Sequence, residues 1–116
     1  MKILIVDDDQ NILRLYKEEL EEDGYTIVTA SNGQEAIEQF EKEDPDLVTL
    51  DILLPDVDGI KLLRQMKEKR PRLPVIMSTA YDYRDDFAVW ASEAYIVKSA
   101  DLSELKSAIK KLIERE

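Results

Sequence analysis

Five polar side chains close short apolar runs along this chain. Asp7 and Asp8 follow Ile3-Leu4-Ile5-Val6, Asp51 follows Leu47-Val48-Thr49-Leu50, Thr79 follows Val75-Ile76-Met77-Ser78, and Lys98 follows Ala94-Tyr95-Ile96-Val97. Asp51 is also followed by Ile52-Leu53-Leu54, so a carboxylate stands inside the most hydrophobic segment of the sequence. An ionised carboxylate withdrawn from water needs a cation or hydrogen-bond donors to offset the loss of hydration. Three carboxylates meeting in one crevice would repel one another, and a divalent cation is the ordinary remedy. Lys98 would add a compact positive charge and Thr79 a hydroxyl. Oxygen ligands, an ammonium and a hydroxyl around one carboxylate suit phosphoryl chemistry. Metal and lysine neutralise the oxygens of the moving group, and the carboxylate is the nucleophile.

Taken singly, each residue has an ordinary structural explanation. A lone Asp at a strand end commonly caps a turn, and Asp7-Asp8-Asp9 ahead of a helix commonly compensates its dipole. Thr79 fits a strand, Lys98 a surface and Tyr95 core or rim packing. Their joint placement at successive strand ends is the stronger signal.

The elements that would position them alternate in hydrophobic period. Ile3 to Val6 reads as a strand buried on both faces. Residues 10 to 23 place Ile12, Leu13, Tyr16 and Leu20 on one helical face, and Gly24 ends that helix. Tyr25 to Ala30 is a second strand. Ser31-Asn32-Gly33-Gln34 has a capping-box pattern and opens a helix burying Ala36, Ile37 and Phe40. After the strand that ends at Asp51, Ile60, Leu63 and Met66 mark a third helix. Leu73 to Thr79 is a fourth strand, residues 84 to 92 a weaker helix, and Ala94 to Val97 a fifth strand. Asp101 is expected to cap a last helix striped by Leu102, Leu105, Ile109, Leu112 and Ile113. Strands alternating with helices imply an α/β fold, a doubly wound parallel sheet with helices on both faces. Ligands in such sheets bind at the carboxyl ends of the strands, where all five polar positions fall.

Composition narrows the chemistry. The 116 residues suffice for one domain, 1–116, and 44% hydrophobic with 36% charged residues describes a globular chain. With neither cysteine nor histidine, thiolate and imidazole ligands are excluded, which leaves oxygen ligands for Mg2+, Ca2+ or Mn2+. A net charge of −10 argues against direct binding to nucleic acid or an anionic membrane. No apolar run approaches a bilayer span, and MKILIVDDD lacks the apolar region and cleavage site of a signal peptide.

ILIVDDD, LDILLPDVDGI, VIMSTA and AYIVK, in this order and spacing, resemble the motifs of the receiver domains of two-component response regulators, over essentially the whole chain. The resemblance implies a (βα)5 sandwich like that of the chemotaxis receiver, with five parallel strands in the order 2-1-3-4-5. It implies that Asp51 accepts a phosphoryl group from a histidine kinase or phosphotransfer protein. Asp7, Asp8, Asp51 and the backbone carbonyl of Leu53 would hold Mg2+ (or Mn2+). Thr79 would bond the phosphoryl group, Lys98 would pair with it, and Tyr95 matches the aromatic that changes rotamer on activation. The expected protein is a cytoplasmic phospho-switch, catalysing only its own phosphorylation and dephosphorylation. Its output would be a change in the surface formed by the fourth helix, fifth strand and fifth helix.

The sequence also departs from the family. Ser99 stands where a proline usually follows the lysine, so a trans peptide is expected there. The stretch from Thr79 to Lys98 is shorter than usual, which predicts a short or irregular fourth helix whose packing Trp90 would report. Two other functions remain open at this stage. Asp7-Asp8-Asp9 contains the D-x-D of haloacid-dehalogenase-type phosphatases, although Asn11 replaces the Thr or Val expected there and no cap domain is present. A pseudo-receiver, a binding module with vestigial chemistry, is the other. The chain could be a whole single-domain regulator or a receiver cut from a longer protein.

Overall fold

The consecutive β-branched and leucine residues at 3–6 and 47–50 leave no solvent-facing side, so these runs must be covered on both faces. A computed structural model, describing residues 1–79, 94–97 and 102–114, shows how that is done. Its elements are β1 (Lys2–Val6), α1 (Gln10–Glu22), β2 (Thr26–Ala30), α2 (Gly33–Glu43), β3 (Leu47–Leu50), α3 (Gly59–Lys69), β4 (Val75–Thr79), β5 (Ala94–Val97) and α4 (Ser103–Glu114). All paired strands are parallel, in the order β2-β1-β3-β4-β5. The parallel α/β architecture read from the alternating pattern is therefore what the chain adopts. The helix expected over residues 84 to 92, the capping role of Asp101 and the Lys98–Ser99 peptide lie outside the described residues.

Side-chain alternation along β1 splits the core in two. Leu4 and Val6 join Phe40 of α2 and Leu62, Leu63 and Met66 of α3 on one face. Ile3 and Ile5 join Leu13, Tyr16 and Leu20 of α1 and Leu105, Ile109 and Leu112 of α4 on the other. Strands at the centre are thus sandwiched between two apolar layers, and the sheet is held rigid beneath the loops at its carboxyl edge. On the second face, Lys106 of α4 bonds Glu19 of α1 at 3.1 Å and lies 3.5 Å from Asp23, chiefly the Glu19 bond holding its ammonium above the ordinary lysine range.

Helix ends follow their sequence signals with one shift of register. Gly24, at a φ of 95°, ends α1: its N–H donates to the Glu21 carbonyl at 3.0 Å and that of Tyr25 to the Leu20 carbonyl at 3.3 Å. Only glycine adopts that backbone without strain, which is why the helix stops there. The expected Ser31/Gln34 capping box does not form, and the cap falls one residue later. Asn32 is the N-cap of α2, its side-chain oxygen accepting the Glu35 N–H at 2.8 Å. The Glu35 carboxylate in turn accepts the backbone N–H and the hydroxyl of Ser31, both at 2.9 Å. A carboxylate at that position is a stronger acceptor than the amide of Gln34, which accounts for the displaced register.

Candidate metal centre

Backbone hydrogen bonds carry the sheet one residue past two neighbouring strands and deliver a carboxylate at each. The Asp7 N–H donates to the Ala30 carbonyl at 3.1 Å, and the Asp51 N–H donates to the Val6 carbonyl at 3.0 Å. Asp7 and Asp51 therefore leave β1 and β3 side by side, at the carboxyl edge, with Asp8 next in the chain. One carboxylate oxygen from each of Asp7, Asp8 and Asp51 lies within 4.8 Å of the others. Asp7 is only 2% and Asp51 only 5% exposed, whereas Asp8 faces solvent. The lone carboxylate of the hydrophobic segment is thus neither isolated nor on the surface. It is one of three carboxylates that meet at the carboxyl edge of the sheet, two of them nearly buried, where bulk water screens charge poorly.

The acidic run divides its labour. Asp7 and Asp8 supply the cluster, while Asp9 caps α1, its carboxylate accepting the N–H groups of Asn11 at 2.9 Å and Ile12 at 3.4 Å. Asp7 also accepts the Asp9 N–H at 2.9 Å, which ties the cluster to the start of the helix. The D-x-D phosphatase reading needs Asp9 as a mobile acid and base, and an N-cap engaged by two amides does not serve as one.

The third wall is the turn from Asp51 to Gly59. Leu53 N–H donates to an Asp51 carboxylate oxygen at 3.3 Å, Leu53 and Asp58 form an antiparallel bridge, and Gly59 N–H donates to the Ile52 carbonyl at 2.7 Å. Asp58 caps α3 through the Ile60 N–H at 2.8 Å. Gly59 is required by space: a methyl there would lie 2.1 Å from the Asp51 carbonyl oxygen and 2.7 Å from the Ile52 α-carbon. The other side of the turn rests on α2. Asp56 accepts the Gly33 N–H at 2.7 Å and the Gln34 N–H at 3.0 Å. Those bonds, that to Gly33 foremost, hold the Asp56 carboxyl below the ordinary range.

Asp7, Asp8 and Asp51 are accordingly brought together, and Leu53, 47% exposed, lies in the adjoining turn. Thr79 ends β4, the strand beside β3, and its backbone pairs with Val97 of β5, while Tyr95 pairs with Met77. The side chains of Thr79 and Tyr95, and all of Lys98, lie outside the described residues. From sequence alone, Gly59 and Asp56 stand only inside the motif LDILLPDVDGI, and neither is given a role. The contacts of Asp56 are 22 and 23 residues away in the chain, and no local pattern marks them. Three oxygen donors, two of them nearly buried, form a hard anionic set that fits Mg2+ or Mn2+ and suits no soft metal.

Comparison with known proteins identifies the family. Residues 3–110 match the response regulator receiver domain family, and the chain belongs to it. The alkaline phosphatase synthesis transcriptional regulatory protein PhoP of Bacillus subtilis is 36% identical over 117 residues, 98% of this chain but 49% of PhoP. Sporulation initiation phosphotransferase F of the same organism is 37% identical over 115 residues, 97% of this chain and 93% of that protein. The response regulator TrrA of Thermotoga maritima, solved in complex with Mg2+-BeF, superposes with a TM-score of 0.92 at 46% identity, covering 96% of this chain and 97% of TrrA. TrrA solved with the histidine kinase ThkA gives a TM-score of 0.91 at 45% identity, over 97% of each chain. The chain spans about half the length of the first curated relatives it matches, PhoP among them.

Proposed function

We propose that this receiver domain accepts a phosphoryl group on Asp51 in a Mg2+-dependent reaction and relays the change to a partner-binding surface. The observation that carries this is the convergence of Asp7, Asp8 and Asp51 at the carboxyl edge of the sheet. An Asp51 carboxylate oxygen attacks phosphorus, an acyl phosphate forms, and the bond to the donor's leaving group breaks with its electron pair. Asp7, Asp8, Asp51 and the Leu53 carbonyl would hold the metal, which supplies positive charge to the phosphoryl oxygens. Lys98 would pair with those oxygens and the Thr79 hydroxyl would bond them, while Tyr95 would change rotamer as the switch is thrown. The turn between Asp51 and Gly59 orients the nucleophile, and its tight closure leaves Asp51 little freedom to lose on reaching the reacting geometry. Hydrolysis of the acyl phosphate at the same site would return the switch.

The crystallised pair of TrrA with ThkA supports a histidine kinase as donor, and the phosphotransferase relative supports a relay partner. The Mg2+-BeF complex of TrrA supports the metal. The complete fold is proposed as a (βα)5 sandwich, with a further helix between β4 and β5. The proposed setting is the cytoplasm; among the described residues no helix is long and apolar enough to cross a membrane. Uptake from a small phosphodonor tests the reading. The parent should incorporate phosphate with Mg2+ and not with a chelator, and Asp51→Asn should incorporate none. Equal incorporation by Asp51→Asn would overturn it.

A further inference from the structure

The first amides of α2 are fully engaged, and two of them are engaged from outside the helix. Glu35 N–H goes to the Asn32 side chain at 2.8 Å, and Ala36 N–H to the Asn32 carbonyl at 3.0 Å as the helical ladder begins. Gly33 and Gln34 N–H go to the two oxygens of Asp56, at 2.7 and 3.0 Å. Asp56 lies in the same turn as Asp51 and Leu53. Beside it, Val57 packs so closely on Gly33 that a methyl at Gly33 would lie 2.1 Å from a Val57 methyl carbon. The turn is therefore pinned within itself, by the Leu53–Asp58 bridge and the bond from Gly59 N–H to the Ile52 carbonyl, and pinned at Asp56 and Val57 to the end of α2.

We infer that Asp56 is a positioning residue for the metal centre: its two-oxygen bond to the α2 N-terminus holds the Asp51–Gly59 turn where the Leu53 carbonyl and the Asp51 carboxylate can serve one cation. The inference rests on the proposed Mg2+ reading. Asp56 itself is absent from the cluster of carboxylates close enough to share an ion. It acts through the turn, using the Gly33 and Gln34 N–H groups, which have no carbonyl partner within the helix, and the positive end of the helix dipole as a fixed anchor. Without the anchor, the turn keeps its internal bonds and the Val57 contact but loses its hydrogen bonds to α2, which loosens the position of Leu53. The metal then loses part of a preformed ligand set, as happens when outer partners of ligands are removed.

The test is Mg2+ titration of the nitrogen-15-labelled protein, read from the amide shifts of Asp8 and Leu53, which reports binding without any reaction. Asp56→Ala should weaken Mg2+ by about tenfold, the lower end of what outer partners of ligands contribute. Asn32→Ala removes a different cap from the same helix, and should leave the affinity close to the parent's. Asp56→Asn loses the charge but keeps an oxygen for Gly33, and should fall between parent and Asp56→Ala. Parental affinity in Asp56→Ala overturns the inference, as does equal weakening in Asn32→Ala, which would make the effect one of helix stability. Equal weakening in Asp56→Asn and Asp56→Ala also overturns it, leaving only long-range charge. If the parent itself shows no Mg2+ shifts, the metal reading fails and this inference fails with it.

Discussion

Gly59→Ala places one methyl group against the backbone of the residue proposed to carry the chemistry. That carbon would lie 2.1 Å from the Asp51 carbonyl oxygen, 2.7 Å from the Ile52 α-carbon and 2.9 Å from the Asp51 carbonyl carbon. All three are backbone atoms, so no side chain can swing aside. Reaching ordinary contact requires α3 and the turn to separate by roughly 1 Å. Overpacking of this kind costs about 1–3 kcal/mol, against a helix-propensity gain of at most about 1 kcal/mol for replacing glycine. Because all the contacts are with backbone, the upper part of that range, about 2–3 kcal/mol, applies; the net loss is then about 1–2 kcal/mol, which lowers the melting temperature of a domain this size by about 4–8 °C. The same displacement strains the 2.7 Å bond from Gly59 N–H to the Ile52 carbonyl and shifts Asp51 relative to Asp7 and Asp8. A misplacement of about 1 Å at a reacting group costs on the order of 100-fold in rate. Thermal melts and the initial rate of phosphoryl uptake with Mg2+ measure both quantities on one preparation. A variant that melts within a degree of the parent and takes up phosphate at the parent's rate would show the close approach to be unimportant.

Asp8→Asn should bind Mg2+ more weakly and melt higher than the parent without metal, because a like charge is removed from beside Asp7 and Asp51; a melt that still shifts with Mg2+ as the parent's does would count against the site. Tyr16→Phe removes the buried contact between its hydroxyl and Ser78, 3.4 Å apart, and should cost about 1 kcal/mol in urea unfolding; unchanged stability would mean the contact contributes nothing. Asp56 titrates below its ordinary 3.8 because the Gly33 and Gln34 amides favour its charged form. Its contribution to stability is therefore complete above that ordinary value and is lost as pH falls through the lower folded one. The gap between parent and Asp56→Ala should be widest near neutrality and close in acid, so a gap that persists at the lowest pH would refute the pairing.

Much of the fold could be read directly because its signals are local. Buried parallel strands show as short β-branched runs, and Gly24 stops α1 at a position that any helix-ending rule would choose. The meeting of Asp7, Asp8 and Asp51 was also legible, since a parallel sheet must deliver every strand's carboxyl end to one edge. Two things were not. Asn32 displaced Ser31 as the cap of α2, because the competition between adjacent side chains is settled by Glu35 binding back to Ser31. Asp56 carries no periodic or spacing signal, since its role arises only when the turn after β3 is laid against α2. Long-range polar contacts of this kind depend on loop conformation, which hydrophobic patterning does not encode.

The most direct test of the proposed chemistry is to locate the acyl phosphate itself. The protein is incubated with Mg2+ and a small phosphodonor, the acyl phosphate is reduced with borohydride, and the modified residue is identified by peptide mass spectrometry. Modification of Asp51, abolished by chelation of Mg2+, is the predicted result. Modification of Asp7 in place of Asp51, or of no carboxylate under conditions where Mg2+ is shown to bind, would contradict it.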